Sequence, residues 1–312
     1  MKYIILLAIL YNTACSSVHS QESETDTWFT ASYSMNNLRI DENFEGPIAM
    51  GSLENTQIDE ASGLAVSYKN QGSLWTHNDS GDFNRIFLVG PNAEDYGTIR
   101  FENTGNRDWE DMAIGAGPVD GKVYLYIADI GDNRAQYDIK RIFRVEEPDV
   151  SGMDFSMGPV WVSGSETIRF RYPDGMKDAE TLMIDPETKD LYVVSKREFP
   201  ITVYVARYPQ DTEEIFEIEK LGTLPFTDAT AGEIAHDGSN IVIKTKTNIY
   251  MWKRAESESI SDALQRQPVR LPYAPEPQGE AFAWKADGSG YFTLSERKGF
   301  DPVLYFYKKK DH

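Results

Sequence analysis

Apolar residues along the chain come in short runs rather than in a sustained helical stripe, and the gaps between runs are rich in Gly, Asp, Asn and Pro. That punctuation predicts many short strands joined by turns. Five runs share one template, an acidic or Gly-containing lead-in, a hydrophobic residue and a short strand: EASGLAV (60–66), WEDMAI (109–114), AETLMI (179–184), AGEIAH (231–236) and GEAFAW (279–284). Aligned on Leu64, Met112, Leu182, Ile234 and Phe282, they recur at spacings of 48, 70, 52 and 48 residues, the long interval carrying an insertion.

Each copy continues in the same way. A second run follows, LWTHNDS (74–80), LYIADIGDN (125–133), LYVVSKRE (191–198), IVIKTKT (241–247) or YFTLSER (291–297). A third carries an aromatic at a fixed place, in IFLV (86–89), IFRV (142–145), VYVA (203–206), IYMW (249–252) and LYFY (304–307). A fourth precedes the next lead-in: TIRFEN (98–103), TIRFRY (167–172), KLGTLPF (220–226) and VRLPY (269–273). The fifth copy lacks its fourth strand, whereas IAMGSL (48–53) stands before the first copy, where a fourth strand belongs. Four-stranded units of ~40–50 residues are the sequence form of propeller blades. The expectation is an all-β, five-bladed β-propeller closed by its N-terminal strand. A sixth blade could come only from the spare residues of the long repeat, around Pro148 to Gly164, and a β-sandwich with coincidental similarity is the plainer alternative.

Composition narrows the partners. The 312 residues, 40% of them hydrophobic, suffice for a full core. Fifty acidic against 31 basic side chains leave a net charge of -19, which repels nucleic acid and favours cations and small ligands. MKYIILLAILYNTAC has the layout of a secretory signal, too short to span a bilayer. It divides the chain into a signal (1–14), a tether lipidated at Cys15 (15–35) and the propeller (36–312). In this reading the protein is exported and held at the cell envelope by lipid alone; a soluble periplasmic or secreted form is the alternative. The only cysteine is then used for the anchor, and no disulfide supports the fold.

Strands in a blade alternate direction, so the loop into strand one opens on the same face as the loop between strands two and three. The lead-ins therefore bring Glu60, Asp108, Glu110, Asp111, Asp178, Glu180, Glu233 and Glu280 towards one rim. The other loops add His77, Asn78, Asp79 and Asp82, then Asp129, Asp132, Asn133 and Arg134, then Lys196, Arg197 and Glu198, then Lys244 and Lys246, then Glu296 and Arg297. Oxygen-rich clusters of this kind suit Ca²⁺, with Glu60, Asp79, Asp129, Asp132, Asn133, Glu180, Glu233 and Glu280 as candidate ligands. Glu110, Asp111 and His77 are the candidate catalytic groups, and Lys196, Arg197, Lys244, Arg297 and Trp109 the candidate contacts to a small anionic ligand or glycan. The plainer reading gives the acids backbone N–H partners and Lys or Arg partners that hold the ring together, leaves His77 packed, and places Trp75, Trp109 and Trp284 between blades. No G-x-S-x-G motif or Gly-rich phosphate loop is present, so catalysis, if the protein is an enzyme, rests on carboxylates and a metal. Metal-assisted hydrolysis of an anionic ester or saccharide and a non-catalytic binding scaffold are the two functional expectations.

The phrases SGLAVS with LWTHNDSGD, DWEDMAIG with YIADIGDN, and PQGEAFAW with DGSGYFTLSER resemble exported bacterial β-propeller proteins. More distantly they are similar to the propellers grouped as SdiA-regulated and to phytase-like and esterase-like propellers. The resemblance implies the fold over roughly residues 48–308. Related propellers of the gluconolactonase and regucalcin group carry a divalent metal at the channel mouth on Glu, Asn and Asp, parts that Glu60 or Glu110, Asn78 or Asn133 and Asp129 could play here.

Overall fold

In each of the five repeats the second apolar run pairs antiparallel with the first and the third with the second, and in the first four the fourth pairs with the third. The computed structural model describes residues 28–311. Blade one is built from Ala61–Val66, Leu74–Asn78, Arg85–Val89 and Asp95–Phe101; blade two from Trp109–Ala116, Val123–Asp129, Lys140–Glu146 and Glu166–Arg171. Blade three comprises Ala179–Ile184, Leu191–Ser195, Ile201–Ala206 and Glu219–Leu224, and blade four Ala229–Ile234, Asn240–Thr245, Ile249–Lys253 and Val269–Leu271. Blade five has Gly279–Trp284, Gly290–Ser295 and Val303–Lys308, and takes its outer strand, Ile48–Ser52, from the N-terminal side. The inner strands adjoin in ring order, the fifth against the first. This is a five-bladed β-propeller closed as expected.

Burial explains why its strands read as continuous apolar runs. Successive side chains of a strand point to opposite faces, and here both faces meet another blade. Ile241 and Ile243 enter the wedge between blades three and four, while Val242 between them enters the wedge between four and five. Each of the five blade junctions holds one such cluster. Trp75 and Trp109 fill the wedge between blades one and two, and Trp284 that between four and five.

The insertion in the second repeat makes no sixth blade. Its Val160–Val162 pairs in parallel with the outer strand of blade one. Ile215–Glu217 does the same for blade two, and Phe29–Thr30 for blade three. Ile40 then bridges to Arg270 of blade four and Phe44 to Lys309 of blade five. The chain thus covers the outer edges of blades one to three and touches that of blade four, where an open row of N–H and C=O groups would invite pairing with another molecule. Residues 28–35, assigned from sequence to the tether, include Phe29 and Ala31, both buried against the propeller. The signal segment and Cys15 lie outside the described residues.

Candidate functional site

One backbone feature recurs at one mouth of the ring. The first residue of each inner strand pairs with the last residue of strand two: Ala61 with Asn78, Trp109 with Asp129, Ala179 with Ser195, Ala229 with Thr245 and Gly279 with Ser295. The register then slips. In blades two to five the residue left out of the ladder is Glu110, Glu180, Thr230 and Glu280; in blade one the slip spans Ser62 and Gly63. A bulge re-aims the side chain of the extra residue, and here it gathers three glutamates at the mouth.

Two overlapping carboxylate groups result, Asp79 with Asp108 and Glu110, and Glu110 with Asp178 and Glu180, each with ligand oxygens within 4.8 Å of one another. Their partners differ. Glu180 pairs with Lys196, which also lies 3.8 Å from Glu280. Asp178 pairs with Arg197 and accepts the Asp132 N–H at 2.7 Å, and Glu280 pairs with Lys246 at 3.2 Å. Asp79 accepts the N–H of Ser80. Glu110, only 2% exposed, has no hydrogen-bond donor or ion-pair partner for its carboxylate among the described residues.

Protonation follows the same division. Burial, and then the charges of Glu180, Asp79 and Asp108, hold the Glu110 carboxyl well above its ordinary range, with Lys196 opposing. Burial pushes Asp79 up to about 7, and Asp108 is raised by burial and by Asp178 and Asp129. Burial drives Glu180 up to about 8 against the pull of Lys196. For Glu280 burial also acts upward, but Lys196, a hydrogen bond with Glu296 and Lys246 outweigh it and hold the group low. Lys196 is correspondingly held above the usual lysine range, its carboxylate neighbours overcoming burial.

Gly131 makes the first group possible. A Cβ there would meet the Glu110 Oε1 and lie 2.6 Å from the Asp108 Cγ, so both carboxylates rest on a bare Cα.

Several residues expected at this rim do other work. Asp111 has turned away: its Oδ1 accepts the Met112 N–H at 2.8 Å, and its Oδ2 accepts those of Leu182 at 2.9 Å and Gly232 at 3.3 Å. It ties together the inner strands of blades two, three and four. His77 is fully buried, its Nδ1 2.9 Å from the Asn78 carbonyl and its ring edge-on to Trp109, and burial lowers its pKa to about 4. Neither is placed for catalysis. Trp109 is fully buried with its Nε1 donating to the Gly105 carbonyl at 3.0 Å, which removes it from ligand stacking.

Asp129 is held by Arg141 and Arg107 and accepts the Asp108 N–H at 2.8 Å. Asp132 is paired with buried Lys140 at 3.0 Å and accepts the N–H groups of Gln136 and Tyr137. Both are structural. Asn133 is exposed on its loop and joins neither carboxylate group, and Glu60 lies beside the mouth outside both. Lys244 is buried and donates to the carbonyls of Gly279 and Thr245, so it braces the loop into blade five. Arg297 pairs with Asp301 while its Nε and Nη2 have no hydrogen-bond partner among the described residues.

Glu233 marks an error of alignment. The equivalent of Met112 and Leu182 in blade four is Gly232, not Ile234. Glu233 therefore sits one place further along the strand and emerges at the opposite end of the ring. There it lines a cavity with Tyr68, Ile114, Ile184 and His236 and accepts the Trp284 N–H at 2.5 Å.

No family model matches the chain, and no curated protein matches it. Among solved structures, luciferin-regenerating enzyme aligns with a TM-score of 0.42 and 14% identity over 84% of this chain and 95% of that one. The WD40 domain of Neurospora crassa Pan2 aligns with a TM-score of 0.45 and 9% identity over 88% of this chain and 98% of that one. The assignment to a five-bladed ring stands on the strand pairing itself.

Proposed function

We propose that the acidic mouth binds a hard divalent cation, calcium in type, through Asp79, Asp108 and Glu110, and with it a small anionic ligand. The supporting observation is the Glu110 carboxylate, nearly wholly buried, without a donor and flanked by carboxylates on both sides. A buried carboxylate is tolerated when it is paired, protonated or bound to a metal. The donor set is all oxygen, as calcium prefers, and no His or Cys joins it. A ligand anion has Lys196, Arg197 and Arg297 within the same rim. If the N-terminal segment exports the protein, a site of the extracellular kind, with a Kd of about 10⁻⁴–10⁻³ M, is the expected strength.

The same arrangement is suited to hydrolysis of an anionic ester. A bound cation supplies a Lewis acid and an acidified water, and Glu180, with its carboxyl near 8, is a base poised close to neutral pH beside Lys196. The non-catalytic alternative draws support from Asp111 and His77, two of the three candidate catalytic groups, which are committed to the framework. Thermal unfolding in EDTA and with CaCl₂ restored, for the wild type and Glu110→Gln, tests the cation site. A rise in Tm with calcium that the variant lacks supports it, and an unchanged Tm across millimolar calcium overturns it. Turnover of phosphate esters then separates enzyme from scaffold.

A further inference from the structure

The loops between strands two and three surround this mouth, and four of the five carry an exposed aromatic ring just before strand three. They are Phe83 in blade one, Tyr137 in blade two, Phe199 in blade three and Phe300 in blade five, with 61%, 38%, 73% and 77% of their surface open. Blade four has Thr247 and Asn248 at that place. None of these rings is needed for the core. Phe83 is stacked under Arg100, 4.5 Å from its centroid, and Tyr137 under Arg107 at 4.3 Å, which fixes both rings in place while leaving area open to solvent.

Beside the gap in blade four a cleft of about 380 Å³ opens at the same face, lined by Phe300, Tyr305, Pro275, Glu276, Glu296 and Lys298. That volume falls in the range of small-molecule sites, roughly 300–1,000 Å³. Glu296 belongs to the mouth itself, since it shares a hydrogen bond with Glu280. Through Glu280 and Lys196, which also pairs with Glu180, the cleft is linked to the carboxylate cluster.

We infer that the ligand of this mouth is an acidic oligosaccharide, with one sugar ring in the Phe300 cleft, further rings along the aromatic crown, and its carboxylate or phosphate at the cation. The inference rests on the reading of the mouth as a ligand site and names its ligand class. A sugar offers an apolar C–H face to an aromatic ring and hydroxyls to carboxylates and lysines, which is the mixture found here. The rings stand apart on separate blades, each among charged neighbours: Asp82 and Arg85 near Phe83, Arg197 and Glu198 near Phe199, Lys298 and Asp301 near Phe300. A protein partner calls instead for a contiguous apolar centre of several hundred Å² per side. The net charge of -19 does not forbid an anionic sugar, because charges beyond about 8 Å are screened at physiological salt. It does make the bound cation necessary for the sugar's own charge.

Calorimetric titration of the full chain with a short oligogalacturonate and with an uncharged cello-oligosaccharide, in CaCl₂ and in EDTA, tests this. The wild type is expected to bind the acidic sugar in calcium, Phe300→Ala to bind it about tenfold more weakly, and Phe300→Trp to retain it. Phe300 is exposed, so circular dichroism should show an unaltered fold in both variants. If calcium raises Tm but neither sugar binds, the cation reading survives and the saccharide inference is overturned. If sugar binds with equal strength in EDTA and depends on Phe300, the crown is upheld and the cation reading falls. Sugar binding indifferent to both Phe300→Ala and Phe199→Ala overturns the crown.

Discussion

Changing Glu110 to glutamine keeps the shape of the side chain, removes its charge and has an effect whose size follows from the structure. Ligand oxygens of Asp79 and Asp108, and on the other side those of Asp178 and Glu180, lie within 4.8 Å of it. One unit-charge pair at that distance costs about 3 kcal/mol at an effective dielectric of 20. With burial, these charges hold its carboxyl well above the ordinary range, so in the absence of a cation the folded state favours the protonated group. That sets a ceiling. From the ordinary value of 4.5 to pH 7, at about 1.4 kcal/mol per unit, the strain cannot exceed about 3 kcal/mol.

The sign follows from proton binding. The folded-state pKa stands above the unfolded one, so the folded state binds more protons and the wild type loses stability as pH rises above about 4.5. Glu110→Gln has no such loss. In EDTA the two proteins should be equally stable near pH 4.5, and the variant more stable by up to about 3 kcal/mol at pH 7, a Tm higher by up to about 5 °C. Calcium at a hundredfold excess over Kd adds about 2.7 kcal/mol to the wild type alone and nearly closes the gap. Urea denaturation at both pH values and thermal scans with and without calcium measure each quantity. A variant less stable than the wild type in EDTA at pH 7, with its calcium response intact, refutes the reasoning.

Three further outcomes are expected. Asp111→Ala leaves the N–H groups of Met112, Leu182 and Gly232 without their acceptor and should cost about 3 kcal/mol or more by urea denaturation, with or without calcium. Gly131→Ala drives a methyl group against the Glu110 and Asp108 carboxylates and should lower calcium affinity at least about tenfold in a Tm titration while leaving strand content unchanged by circular dichroism. Burial holds the Glu233 carboxyl near 8, above the 4.5 of the unfolded chain, so the wild type loses stability between those pH values; Glu233→Gln should match it below about pH 4.5 and exceed it most above about pH 8 in paired denaturation curves.

The ring was legible because blade structure is written in local terms: apolar runs long enough for a strand, punctuated by Gly, Asp and Asn, repeated with an aromatic in strand three. The closing strand at Ile48 was legible by subtraction, as the piece the fifth repeat lacked. The site was harder to read, since a carboxylate's role depends on which donor from another blade reaches it. Asp129 and Asp132 sit in an oxygen-rich loop, yet Arg107, Arg141 and Lys140 claim them. Asp111 is adjacent to Glu110 in sequence, but the one-residue bulge sends the two in different directions. In blade four the bulge holds Thr230, so an alignment seeking an acid before a hydrophobic residue settled on Glu233 instead. In sequence Gly131 looks like a turn glycine, and its only local hint is its place between Asp129 and Asp132.

A single criterion then sorts the buried acids, the number of fixed donors each one meets. Asp111, Asp129 and Asp132 each meet two or more, and a carboxylate so satisfied has little to offer a ligand, because binding one would strand the donors it left. Glu180 and Glu280 meet lysine ammonium groups, which a ligand anion can share. Glu110 meets none, although the residue is only 2% exposed. The same bulge that isolates it from the ladder recurs in the neighbouring blades, so the backbone positions the group rigidly while providing no partner for it. A fold that has a donor for almost every other buried acid, and holds this one in place with only the distant pull of Lys196, leaves protonation or a cation to neutralise it. Stability across pH, with and without calcium, separates the two.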